Sequence, residues 1–214
     1  MKAGTIIRRP FKYTDIHVTL YLAAINILVY VGTLLFPGLR IQLSLYPPAF
    51  IYGKMYWQLF TYMFVHGSFE HIFFNMFGLI MFGLAVERAL GSKEFLLYYL
   101  VCGTASGALS LAAFVLTGHY NIALIGASGA VYAVLFAFAV VYPRSKVYFW
   151  GVLPIPSPVL VVIYAVIELV SQAVGFNGGV AHMTHLFGLA AAWLYFIIRT
   201  GINPVRVWKD AFKS

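Results

Sequence analysis

HIFFNMFGLIMFGLAV, residues 71–86, runs without a single aspartate, glutamate, lysine or arginine. Wound as a helix at about 1.5 Å per residue, such a run covers most of a ~30 Å hydrocarbon core. It sits in a chain of 214 residues of which 62% are hydrophobic and only 9% charged, a balance suited to a bilayer and not to water. Comparable runs occupy 17–36, 95–117, 126–142, 158–174 and 182–198. The fold class expected is therefore all-α: a polytopic membrane protein built as a bundle of six transmembrane helices. Small residues at four-residue spacing, such as Gly103 with Gly107, let helices approach closely in lipid, so the bundle is expected to be compact.

Lysine and arginine orient such a bundle because they stay on the cytoplasmic side. With the amino terminus inside, Lys2, Arg8, Arg9, Lys12, Arg88, Lys93, Arg144, Lys146, Arg199, Arg206, Lys209 and Lys213 all fall on inner segments, and only Arg40 and Lys54 fall outside. The net charge of +8 is thus topological, and with no soluble basic domain to use it, nucleic-acid binding is set aside. The protein is read as a multi-pass protein of the cell membrane with both termini cytoplasmic. The first span is too long for the apolar part of a cleaved signal, and no small-residue cleavage site follows it. Cys102, the single cysteine, rules out an intrachain disulfide and is read as packing.

Residues 37–56 hold Pro37, Gly38, Pro47, Pro48 and Gly53 among aromatic residues, the composition of a long interfacial outer loop. The other connections are short: GSKE at 91–94, PRSK at 143–146 before the proline-rich LPIPSP, and GFNGGV at 175–180. No repeat, linker or second domain is visible.

Polar side chains inside apolar spans cost free energy and need a partner or a purpose. Counted from Arg88, Arg144 and Arg199 as cytoplasmic markers, His71, Asn75, Ser128 and His185 lie about 25, 20, 24 and 21 Å towards the outer face, which is one common level. Asn75 follows His71 by four residues, so both share a helical face. Gly126, Ala130, Ala133 and Ala137 form a small-residue stripe on the fourth span, and Ala181, His185, Gly188 and Ala192 repeat its spacing on the sixth. Two such stripes pack with little backbone separation, bringing Ser128 and His185 within reach.

Serine beside histidine is the minimum of an acyl-transfer site, in which the imidazole takes the hydroxyl proton during attack and returns it to the leaving amine. Gly126 and Gly129 would let a substrate approach the backbone, and the head of the fourth helix offers unpaired N–H groups to a developing oxyanion. His71 and Asn75 would add side-chain donors to that oxyanion hole, together with the N–H of Ser128. No carboxylate is assigned to a triad: Asp15, Glu87, Glu94 and Asp210 lie towards the cytoplasm, Glu168 near mid-membrane, and Glu70 beside His71. A Ser128/His185 dyad is expected, with Tyr132, one turn below Ser128, stacked on the imidazole. Glu168 is read as a structural group without an assigned partner, His182 as a solvated rim residue, and His66, His119 and His17 as solvated.

With GASG at 126–129 and Tyr132, HIFFN at 71–75, HLFG at 185–188 and VERALGS at 86–92, the sequence resembles the rhomboid family of intramembrane serine proteases. The resemblance spans most of the chain, read as one rhomboid-like membrane domain over 1–214. It implies hydrolysis of peptide bonds in or near the transmembrane segments of protein substrates, within the lipid bilayer and without cofactor or metal. Carried over residue by residue, it makes Ser128 the nucleophile, His185 the base and His71 with Asn75 the oxyanion donors, with Gly126, Gly129, Gly188 and Tyr132 in support. One departure falls in the outer loop, where many relatives have Trp-Arg and this chain has Trp57-Gln58, which puts the loop's anchoring contacts in question.

Three other functions compete. A metalloprotease would need a zinc motif, but HGSFEH is one residue too long for H-x-x-E-H, and on a helix His66 and His71 would lie about 140° apart. A small proton-coupled transporter could use Glu168 and the histidines, but no repeated halves are visible and the polar residues gather near one face. A non-catalytic rhomboid-like protein that binds membrane clients need not keep both Ser128 and His185.

Overall fold

The computed structural model describes residues 6–149, 151–174 and 180–213, and these are mostly helical. Four helices are long and apolar enough to cross a membrane: α1 (Val18–Leu35), α5 (Phe69–Leu90), α6 (Ser92–Leu116) and the segment His182–Thr200, which contains most of α9 (Val180–Tyr195) and its π-helical extension Phe196–Thr200. Two further apolar helices, α7 (Ser128–Val141) and α8 (Ser157–Ala173), have 14 and 17 residues.

On α5 the apolar positions divide between two surfaces. Ile72, Met76, Leu79, Phe82 and Val86 recur at helical spacing and are buried, whereas Phe73, Phe74 and Phe77 remain at least half exposed. In water that second face would be a liability; against acyl chains it is matched by its solvent. Helix α7 is different, with Ala127, Ala130, Ala133 and Ala137 all essentially inaccessible. It packs against α5, α6, α8 and α9. Small residues make that position possible: a Cβ on Gly129 would lie 2.4 Å from Ser106 Oγ of α6, and one on Gly103 would lie 3.2 Å from the Ala130 Cβ. The contacts are sealed by buried hydroxyls, with Tyr98 donating to the Ala133 carbonyl (2.5 Å) and Ser106 to that of Thr184 (2.7 Å).

VERALGS forms the corner between α5 and α6. Glu87 is buried, and its carboxylate accepts the N–H groups of Val18 (2.6 Å) and Thr19 (2.8 Å), the Thr19 hydroxyl (2.7 Å) and the Ser92 hydroxyl (2.5 Å). It therefore caps α1, supplying an anion to otherwise unpaired donors at a helix start. Gly91, at φ 81°, turns the chain from α5 into α6. Nearby, Glu94 holds Arg199 through two contacts of 2.9 and 2.7 Å and accepts the Tyr195 hydroxyl at 2.5 Å.

The outer loop is folded into three short helices, α2 (Pro37–Leu43), α3 (Pro47–Ile51) and α4 (Gln58–Thr61). Trp57 and Gln58 anchor it. The indole N–H donates to the Gln42 carbonyl (2.9 Å), while fully buried Gln58 donates to the Ile41 carbonyl (3.1 Å) and accepts from the Tyr46 N–H (3.2 Å). A neutral amide thus fastens the loop where a Trp-Arg pair is absent. One element departs from the all-helical expectation: β1 (Lys146–Phe149) and β2 (Leu153–Pro156) pair as an antiparallel hairpin, turning at Gly151 (φ 71°). Both prolines of LPIP lie on an edge strand, where a missing N–H costs no ladder bond. Of the GFNGGV connection, residues 175–179 lie outside the described residues; a short amphipathic helix α10 (Pro204–Ala211) follows the bundle.

Candidate active site

Ser128 is the first residue of α7, and Gly126 two residues before it sits at φ 114°, a conformation that L side chains rarely adopt. The first bond closing a turn of α7 runs from the Val131 N–H to the Ala127 carbonyl (2.9 Å), so the N–H of Ser128 is not used by the helix. A Cβ on Gly126 would lie 2.6 Å from His71 Nε2 and 3.8 Å from Ser128 Oγ. The glycine is thus what lets the His71 ring and the serine hydroxyl share one small space.

His71 is in the first turn of α5, whose N-cap Ser68 accepts its N–H (3.2 Å). Its Nδ1 accepts a long bond from the Gly67 N–H (3.5 Å), which leaves the proton on Nε2, the nitrogen beside Gly126. Asn75, one turn on, is buried and donates through Nδ2 to the His71 carbonyl (2.8 Å), with its second amide proton still available. On α9, His185 stacks on Tyr132 of α7, the rings 4.2 Å apart and inclined by 8°. Among the described residues no hydrogen bond joins Ser128 Oγ to His185. Both line one cavity of ≈ 1280 Å³, together with His71, Asn75, Tyr132 and Glu70. The four polar residues of the depth count all line this cavity, and Glu70, Tyr132 and Thr184 line it as well.

The cavity is mainly apolar and runs along α5, α7 and α8 to the hairpin at Val147 and Tyr148. Phe77 and Met81 wall it from α5 and Leu160 and Tyr164 from α8.

Three sequence expectations are corrected here. Glu168, read as lacking an assigned partner and unavailable to a triad, is 4% exposed on α8 and faces α9. One carboxylate oxygen, Oε1, accepts from His185 Nδ1 at 2.9 Å and from the Tyr132 hydroxyl, and Oε2 accepts from His182 Nδ1. Counting along single helices gives a residue's height but not the neighbour it faces, and only the packing of α8 against α7 and α9 turns Glu168 onto Tyr132, His182 and His185. His182 is consequently a member of this cluster and not a solvated rim residue; its three-residue spacing from His185 on α9 was the available signal. His66, also read as solvated, is 2% exposed, with neither ring nitrogen hydrogen-bonded and its ring 5.0 Å from that of His71. Burial, and then the charge of His71, hold its pKa down at about 4. His17 and His119 are exposed, as expected.

Among the described residues, Glu168, His182 and His185 are also the one group of three whose donor atoms, all within 4.8 Å of one another, could hold a metal ion. Two imidazoles and a carboxylate are a donor set that zinc accepts. Here the same atoms satisfy one another by hydrogen bonding, with Tyr132 as an additional donor.

The Rhomboid domain family matches residues 53–201, well over half of the chain. The chain is 29% identical over 141 residues to the putative rhomboid protease YdcA of Bacillus subtilis (strain 168), covering 65% of each. It is 33% identical over 119 residues to the rhomboid protease GlpG of Haemophilus influenzae, covering 55% of this chain and 59% of that one. To RHOMBOID-like protein 12, mitochondrial, of Arabidopsis thaliana it is 29% identical over 152 residues, 63% of this chain and 44% of that protein. The match thus spans less than two thirds of the length of each of these relatives. On its fold, its motifs and this match, the chain belongs to the rhomboid family.

Proposed function

We propose that the chain is an intramembrane serine endopeptidase that cleaves transmembrane or juxtamembrane segments of membrane proteins near the outer face. The whole of 1–214 acts as one rhomboid-like domain with both termini cytoplasmic in the cell membrane, α7 and α8 serving with the four longer helices as six crossings. The observation that carries this reading is the meeting of Ser128, at the head of α7, and His185, stacked on Tyr132, on the wall of a single apolar cavity.

In the reaction, Ser128 Oγ attacks the scissile carbonyl carbon while its proton passes to His185 Nε2. The carbonyl oxygen becomes an oxyanion that accepts from the Ser128 N–H, His71 Nε2 and Asn75 Nδ2, donors fixed before charge develops. Collapse expels the amine, which takes the proton from His185, and leaves an acyl-enzyme on Ser128. Water, deprotonated by His185, then releases the acid and restores the hydroxyl. Catalytic hydrogen bonds are commonly long until substrate is bound, so the unjoined Ser128 and His185 fit the resting state. No cofactor enters these steps.

Access between α5 and α8, past Phe77, Met81, Leu160 and Tyr164, fits a substrate helix that arrives sideways and unwinds, with a small residue before the cleaved bond. Cross-linking α8 to α5 is expected to block cleavage of membrane substrates. The reading as a whole is tested by reconstituting wild type, Ser128→Ala and His185→Ala with a transmembrane substrate. Cleavage by wild type alone is expected, and cleavage by a folded Ser128→Ala would overturn the reading.

A further inference from the structure

Glu168 is a carboxylate on an otherwise apolar helix, in a segment where an ionised group is costly unless its hydrogen-bonding capacity is met. It is met by three donors, shared unequally between the two oxygens. Oε1 takes His185 Nδ1 (2.9 Å) and the Tyr132 hydroxyl, while Oε2 takes His182 Nδ1. The same Tyr132 lies flat against the His185 ring at 4.2 Å. The imidazole is thus fixed in its plane by stacking and about its axis by a bond to the carboxylate that its stacking partner also holds.

We propose that Glu168 is a positioning residue for the reaction, so that Ser128 on α7, His185 on α9 and Glu168 on α8 act as a relay across three helices; this rests on the serine-protease reading above. A neutral imidazole has two tautomers, and only the one protonated on Nδ1 presents a lone pair at Nε2 to the serine. An acceptor at Nδ1 selects that tautomer. When the Ser128 proton reaches Nε2, the ring becomes a cation bonded to an anion, while the Nδ1 proton stays on nitrogen and Glu168 is not protonated. His182 holds the far oxygen of the carboxylate, leaving Oε1 to His185 and Tyr132. Neither a clip that merely joins α8 to α9 nor a metal ligand requires this arrangement to affect the chemical step, which separates the three roles experimentally.

The test uses the full chain in detergent with a transmembrane substrate, comparing wild type with Glu168→Gln, Glu168→Asp and Ser128→Ala. Glu168→Gln should melt within a few degrees of wild type, keep its KM and lose about 10²- to 10⁴-fold in kcat, the scale seen when an amide replaces the carboxylate of a serine-protease triad. Glu168→Asp should recover at least about tenfold of that loss, as a restored anion would. A folded Glu168→Gln with kcat within about threefold of wild type would reduce Glu168 to a clip and overturn the inference. So would wild-type activity that is lost to a chelator and restored by Zn²⁺. Independently of how the Glu168 variants fold, ¹⁵N resonances of His185 in wild type, identified by their absence in a folded His185→Ala, should report a proton on Nδ1; a resting Nε2–H tautomer would also overturn it. Cleavage by Ser128→Ala would instead remove the protease reading itself, an outcome distinguishable from all of these.

Discussion

Gly188 of α9 lies against the Gly129 carbonyl of α7 so closely that a Cβ added to Gly188 would stand 2.1 Å from that oxygen. This contact is one residue from Ser128 and three from His185, so it sets the separation of the two residues between which the proposed mechanism passes a proton. Gly188→Ala has no flexible side-chain end to displace, only backbone. It should destabilise the fold by about 1–3 kcal/mol and abolish measurable cleavage. A thermal melt with an activity assay checks both, and a stable, active variant would show that α7 and α9 can part without consequence.

The proposed oxyanion donors, His71 and Asn75, should act on the chemical step. Removing one donor from a preorganised hole costs about 100- to 1,000-fold in kcat. Asn75→Ala should fall at the lower end, because Asn75 already spends one amide proton on the His71 carbonyl (2.8 Å) and the Ser128 N–H remains. His71→Ala should lose more, with KM nearly unchanged in both. Steady-state kinetics decide it, and full activity in both folded variants would make the pair structural.

Glu87 should matter for stability and not for chemistry. Its carboxylate accepts from two backbone N–H groups at the head of α1 and from Thr19 and Ser92. Glu87→Gln replaces charge-assisted bonds by weaker ones and reverses one donor, a loss of about 2 kcal/mol. The melting temperature should drop while kcat at low temperature stays near that of wild type.

His66 predicts a pH dependence of the fold. Burial, with the His71 charge, holds its pKa at about 4, below the value near 6.5 of an unfolded histidine. Above pH 6.5 both states carry the neutral ring and its contribution is constant. Between pH 6.5 and 4 only the unfolded chain takes up the proton, so stability falls as pH falls, by roughly 3 kcal/mol in all. His66→Leu cannot titrate. The melting-temperature difference between wild type and this variant should move in the variant's favour between pH 7 and pH 4.5, and a constant difference would contradict the assignment.

Four of the expected spans were legible, and so was the gathering of His71, Asn75, Ser128 and His185 on one cavity wall, because a helix obeys a single period and a fixed rise. Gly188, on the stripe expected for α9, does meet α7, but at Gly129, a residue the sequence assigned to substrate approach and not to the stripe. The hairpin at 146–156 was not legible, since prolines read locally as a break and only the tertiary placement of β1 supplies a partner. Glu168 was misread for a related reason: its partners Tyr132, His182 and His185 lie on other helices, and only tertiary packing shows which neighbour a side chain of α8 faces. His66 illustrates the opposite limit, because burial of a loop residue follows from the tertiary packing around it and leaves no trace in local spacing.

Activation of Ser128 by His185 is tested most directly by covalent capture. A fluorophosphonate reacts with a serine whose proton a neighbouring base removes, and peptide mapping reports which residue carries the adduct. In the detergent-purified full chain the adduct is expected on Ser128 alone, absent from Ser128→Ala and reduced to background in a folded His185→Ala. An adduct on another residue, or undiminished labelling of Ser128 in His185→Ala, would contradict the assignment of the nucleophile and its base.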